Sequence, residues 1–116
     1  MCGIAGFIEF RHLDASQIQS ILKRMGDAIM HRGPDNCGIW HDNNAQVALI
    51  HRRLSILDLS AAGHQPMASA SGRYQIIFNG EIYNHKAIRA QLKEHAGSVW
   101  QGRSDTETLL AGIEIR

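Results

Sequence analysis

Two short apolar runs, Cys37 to His41 and Gln46 to His51, are joined only by the polar stretch His41-Asp42-Asn43-Asn44. Parallel neighbours need a crossover of about a dozen residues or more, whereas antiparallel neighbours close over a tight turn. The segment therefore reads as a β-hairpin, which argues for antiparallel sheets rather than a doubly wound parallel one. Upstream, Gly3 to Phe10 reads as a strand. Ile18, Ile21, Leu22, Met25, Ala28 and Ile29 then recur at the three- and four-residue spacing of one helix face. Asp14 or Ser16 can cap that helix. It is expected to stop at His31-Arg32-Gly33-Pro34, with glycine taking the left-handed conformation and proline ending the hydrogen-bond ladder.

Downstream, a loop of small residues ends in Gly63-His64-Gln65-Pro66-Met67, and Ala70-Ser71-Gly72 turns the chain into a strand from Tyr74 to Phe78. Asn84 can cap a second helix carrying Ala87, Ile88, Leu92 and His95 and ending at Gly97. Ser98 to Gln101 reads as a short strand. Ser104-Asp105-Thr106-Glu107 has the capping-box pattern, opening a helix with Leu109, Leu110 and Ile113. The fold class is α+β: antiparallel sheets with helices outside.

The 116 residues and 44% hydrophobic content suit one globular domain. A net charge of +1, with both signs interspersed, offers no footprint for nucleic acid or an anionic membrane surface. No apolar run approaches the length of about 20 residues that spans a bilayer, and no secretory leader is legible, so the expected location is cytoplasmic. Cys2 and Cys37 could pair, but two cysteines without a secretory signal more often remain reduced. The seven histidines lack metal-ligand spacing. No metal is expected, and no phosphate-binding glycine loop of the Walker type is present.

The chemistry concentrates at Met1-Cys2-Gly3-Ile4-Ala5-Gly6. If Met1 is removed, Cys2 carries a thiol and a free α-amine on one residue. Reference values of about 8.5 for the thiol and about 7.7 to 8.0 for the amine let the amine relay the thiol proton near neutral pH. Cys2 can also be read simply as a small apolar residue opening a buried strand.

Six motifs in order carry a resemblance: Cys2-Gly3-Ile4, His31-Arg32-Gly33-Pro34-Asp35, Arg53-Leu54-Ser55-Ile56, Gly63-His64-Gln65-Pro66-Met67, Asn79-Gly80-Glu81-Ile82-Tyr83-Asn84 and Ser104-Asp105-Thr106-Glu107. Together they resemble the glutaminase domain of asparagine synthetases, a class II glutamine amidotransferase among the N-terminal nucleophile hydrolases. The resemblance implies a four-layer α/β/β/α sandwich with antiparallel sheets. It implies that Cys2 attacks the side-chain amide of glutamine while the Asn79 side chain and the Gly80 N–H stabilise the oxyanion. Arg53 would clamp the substrate carboxylate, and Glu81 and Asp105 would hold its ammonium. Local alternatives stand beside these roles: a solvated strand-end arginine for Arg53, a helix-dipole partner for Asp105, and a two-residue hairpin turn for Asn79-Gly80.

The resemblance spans the whole chain, 1–116, but only the N-terminal portion of such a domain, so the sandwich is expected to be incomplete at the C-terminus. The synthetase domain, with its ATP and Mg, is expected to be absent, leaving this chain without a cofactor. Glutamine is the expected substrate, and a synthetase domain or second chain the expected ammonia acceptor. Homo-oligomerisation stays open. So do a glutaminase half serving another acceptor, an inactive remnant that binds glutamine or a partner, and a module in which Cys2 is only core.

Overall fold

The computed structural model describes residues 2–54, 61–96 and 100–115. Its elements are β1 (Gly3–Ile8), α1 (Ala15–Ala28), β2 (Asn36–Asp42), β3 (Val47–Arg53), β4 (Met67–Ala68), β5 (Gln75–Ile76), α2 (His85–Ala96) and α3 (Asp105–Ile115). The hairpin forms as expected. Asp42 pairs with Val47 and Asn36 with Arg53, and the Asp42 carboxylate closes the turn by accepting from the amides of Asn44 at 2.8 Å and Ala45 at 3.2 Å. Gln46 belongs to the turn, at φ 55°, rather than to the strand. On the other edge β1 lies antiparallel to β3, from Gly3 opposite Arg52 to Ile8 opposite Val47. The three strands run β1-β3-β2.

Helix α1 covers one face of this sheet. Ile18 and Leu22 meet Ala48 and Ile50 to form the buried core, with Ala5, Phe7, Leu13 and Met25 around it. Asp14 and Gln17 complete a capping box at its start, a device that satisfies two otherwise orphaned amides. Its end differs from expectation. The helix closes at Ile29 and passes through a single 3₁₀ turn, Met30–Arg32. Gly33 has φ −152°, outside the left-handed region. Its lack of a side chain serves a close approach instead, since a Cβ there would strike the Arg52 backbone.

The second sheet is a two-stranded antiparallel pair, Met67 opposite Ile76 and Ala68 opposite Gln75, turned at Gly72 with φ 76°. The strand expected over Tyr74 to Phe78 shrinks to Gln75–Ile76, because the Phe78 amide leaves the ladder to bond the Gln65 side chain. Helices α2 and α3 pack on one another through Arg89. Its guanidinium donates to Thr108 Oγ1 at 2.8 Å and to the carbonyls of Gly102 at 2.7 Å and Ser104 at 2.9 Å, and lies over the Trp100 ring.

Their inward faces also correct the periodicity. On α2 the covered residues are His85, Ile88, Arg89 and Leu92, while Ala87 is exposed. On α3, Asp105, Thr106, Thr108 and Leu110 are buried and Ile113 is exposed. Ser104 caps the Glu107 amide at 3.2 Å, but the Glu107 carboxylate accepts from the amides of Gln101 and Gly102. Trp100 and Gln101 are not in a strand. The expected strand residues Ser98 and Val99, the helix stop at Gly97 and the His95 side chain lie outside the described residues. The architecture is mixed α and β, with two antiparallel sheets flanked by helices, as expected for the sandwich. No described helix is long and apolar enough to cross a membrane.

Candidate active site

Strand alternation sets the site. With Ala48 and Ile50 turned toward α1, His51 and Arg53 face the opposite side of the sheet. The β1–β3 register brings Cys2, just ahead of Gly3, beside Arg53. Three further segments close over this face. The Gly63-to-Pro66 loop crosses β2 at Gly38, where a Cβ would overlap the Gln65 carbonyl. The chain leaving β5 brings Phe78, Asn79, Gly80 and Glu81, and the start of α3 brings Ser104, Asp105 and Thr106. Together they line a cleft of about 240 Å³, below the usual range for drug-sized ligands and suited to a small metabolite.

All six candidate residues, Cys2, Arg53, Asn79, Gly80, Glu81 and Asp105, line this one cleft. Cys2 is half-buried; its sulfur accepts from the Leu54 amide at 3.3 Å and faces the Leu54 carbonyl at 3.6 Å. Arg32 donates to the Cys2 carbonyl at 3.3 Å. Both cysteines are free, so the disulfide alternative is not realised.

Arg53 is only 7% exposed, which excludes the solvated strand-end reading. Asn79-Gly80 is not the hairpin turn either. Such a turn requires positive φ at both central residues, and among the described residues only Gln46 and Gly72 have it. Asp105 is buried at the first position of α3, where the helix dipole favours it, and its Oδ2 also accepts from the Ile82 amide at 2.8 Å. Glu81 is exposed at the rim.

The structure adds His51, Gln65 and Thr106 to the lining. His51 is 1% exposed, and among the described residues neither ring nitrogen has a partner at full hydrogen-bond geometry. Burial pushes its pKa down to about 4, while the Phe78 backbone opposes the shift and the charges of His64 and Arg53 add to it. The ring is therefore neutral at physiological pH. Its two-residue offset from Arg53 was the available sequence signal. Among the described residues no group of three or more potential metal ligands comes together.

Residues 1–115 match the family described as a glutamine amidotransferase domain. The chain belongs to this family. The amidotransferase domain is homologous to the N-terminal glutaminase domains of asparagine synthetases, in the class II, N-terminal nucleophile group. It is 42% identical over 112 residues to asparagine synthetase (glutamine-hydrolyzing) 1 of Bacillus subtilis, covering 96% of this chain and 17% of that protein. An amidase of Gibberella zeae is 40% identical over 119 residues, with 96% and 17% covered. Asparagine synthetase B of Escherichia coli is 38% identical over 111 residues, with 96% and 19% covered. The amidotransferase domain thus spans less than a fifth of the length of these relatives.

Proposed function

We propose that residues 1–116 are the N-terminal portion of a class II glutaminase domain that hydrolyses glutamine to glutamate and ammonia. The observation that carries this reading is the convergence of a thiol, a buried arginine, an asparagine amide and two carboxylates on one metabolite-sized cleft. Free glutamine presents a carboxylate, an ammonium and a side-chain amide, and this set of groups complements all three. Arg53 pairs with the carboxylate through the planar fork that arginine offers. Glu81 and Asp105 face the ammonium.

In the chemical step the Cys2 sulfur attacks the side-chain carbonyl carbon, with the α-amine exposed by removal of Met1 taking the thiol proton. The oxyanion is met by the Asn79 side-chain amide and the Gly80 N–H; one such donor contributes roughly 3 to 4 kcal/mol in the transition state. Collapse breaks the carbon–nitrogen bond, the α-ammonium returns the proton, and ammonia leaves. Water then cleaves the thioester, releasing glutamate and restoring the thiol.

The ammonia serves asparagine formation in a synthetase domain or partner chain, a reading supported by the names of the Bacillus and Escherichia relatives. The ATP and Mg of that reaction belong to the synthetase part. Similarity to an amidase favours, as a second reading, a different acceptor for the same nitrogen. A cytoplasmic location accompanies both, since a free thiol nucleophile persists in a reducing compartment.

The test is intact mass before and after treatment with a glutamine-mimicking diazoketone. Loss of Met1 and one adduct, absent in Cys2→Ala, are expected. A processed chain whose Cys2 stays unlabelled would overturn the reading.

A further inference from the structure

Asn79, Gly80 and Glu81 sit on a segment with no strand partner among the described residues, yet its two ends are held. At the entry, Gln65 Oε1 accepts from the Phe78 amide at 2.7 Å. At the exit, Asp105 Oδ2 accepts from the Ile82 amide at 2.8 Å. The two anchors are themselves tied, because Gln65 Nε2 donates to Thr106 Oγ1 at 3.1 Å. Hydrogen bonds and chain together form a closed ring: Gln65, Phe78, the three candidate residues, Ile82, Asp105, Thr106 and back to Gln65.

The orientation of the Gln65 amide follows from its partners. A backbone N–H can only donate, so the carbonyl must face Phe78, which turns the NH₂ toward the Thr106 hydroxyl. Gln65 is 7% exposed and Thr106 3% exposed, so losing either bond strands a buried polar group. Its loop is pressed onto β2 at Gly38, which fixes the side chain relative to the sheet that carries His51 and Arg53.

We infer that Gln65 is a positioning residue that couples the oxyanion-binding segment to the ammonium-binding carboxylate, through its simultaneous bonds to Phe78 and Thr106. The inference rests on the glutaminase reading of the cleft. Two consequences separate. The Phe78 arm sets the donors that act on the tetrahedral intermediate, so its loss falls on kcat. The Thr106 arm sets Asp105, which engages the substrate before and during reaction, so its loss falls more on KM.

The experiment uses the full natural polypeptide, with Gln65→Leu, Gln65→Glu and Thr106→Val compared by glutaminase kinetics and by amide hydrogen exchange at Phe78 and Ile82. Gln65→Leu is expected to lower kcat by about 10- to 100-fold, the scale of a small misplacement of reacting groups, and to speed exchange at both amides. Gln65→Glu keeps an acceptor for Phe78 and can accept from the Thr106 hydroxyl, so its kcat should lie closer to the parent value. Thr106→Val should raise KM more than it lowers kcat.

Unchanged kcat and KM in Gln65→Leu, or faster exchange confined to Phe78, would overturn the coupling. If Gln65→Leu does not fold, Thr106→Val decides: unchanged KM and unchanged Ile82 exchange end the proposal. A parent protein that releases no ammonia from glutamine would defeat the glutaminase reading instead. Exchange at the two amides then judges the coupling alone, a joint rise sustaining it.

Discussion

Arg52 and Arg53 are adjacent in the chain and face opposite sides of the sheet. Arg52 reaches back to α1, donating to the Gly26 carbonyl at 3.0 Å, while Arg53 and His51 look into the cleft. His51 is buried with its pKa held near 4, against an ordinary value of about 6.5. Between these values the unfolded chain binds the proton that the folded chain refuses. Stability therefore rises with pH across the window from about 4 to 6.5 and is fully present above it. Allowing for screening, the contribution is on the order of 2 kcal/mol. Urea denaturation from pH 7 to pH 4.5 should show the parent losing stability more steeply than His51→Asn; equal slopes would refute the assignment. That Cys2, Arg53, Asn79, Gly80, Glu81 and Asp105 would share one cleft was legible because each stands in a motif whose chemistry could be named. The places of His51 and Gln65 in that lining were not, since they depend on which face a strand shows and where a loop crosses it.

Elements were most legible where period and turn chemistry agreed. The hairpin and α1, the latter with its cap at Asp14, came through because both are local and their apolar faces meet one another. α2 and α3 were harder. Their mutual contact is organised by Arg89, which reads in the sequence as an ordinary charged residue on an amphipathic helix. Yet Arg89 satisfies two loop carbonyls and the Thr108 hydroxyl, approaches Glu107 at 3.4 Å and stacks on Trp100. That bonding accounts for Thr108 on the inner face of α3, as the bonds to Ile82 and Gln65 account for Asp105 and Thr106. Arg89→Met keeps much of the stem but deprives those acceptors of their donor, each stranded group costing about 1 to 3 kcal/mol. A loss of about 3 kcal/mol in urea unfolding is expected, with Gly102 and Ser104 relaxing and Asp105 carried with them. A change below about 0.5 kcal/mol, the range of ordinary surface substitutions, would show that the knot is not structural.

At the scale of the whole molecule, the two faces of the three-stranded sheet differ. One is closed by α1. The other is covered by the Gly63-to-Pro66 loop and the chain leaving β5 around His51 and Arg53, and it leaves Ile4 44% and Ile8 66% exposed on β1, which register opposite His51 and Val47. Among the described residues β1 is also an edge strand, so apolar side chains and an unpaired backbone edge occur together there, the combination that promotes pairing with another chain. Burying an isoleucine fully is favourable by about 1.5 to 3 kcal/mol, and much of that gain is still open to both, most of all to Ile8. The isolated 116-residue polypeptide should therefore self-associate as its concentration rises in sedimentation velocity. Ile4→Thr with Ile8→Thr keeps β-branched residues suited to a strand and should weaken dimerisation about 10- to 100-fold, at about 1.4 kcal/mol per decade, while leaving the α1-facing core untouched. A polypeptide that stays monomeric, or a double variant that associates as tightly as the parent, would show that this sheet face needs no cover.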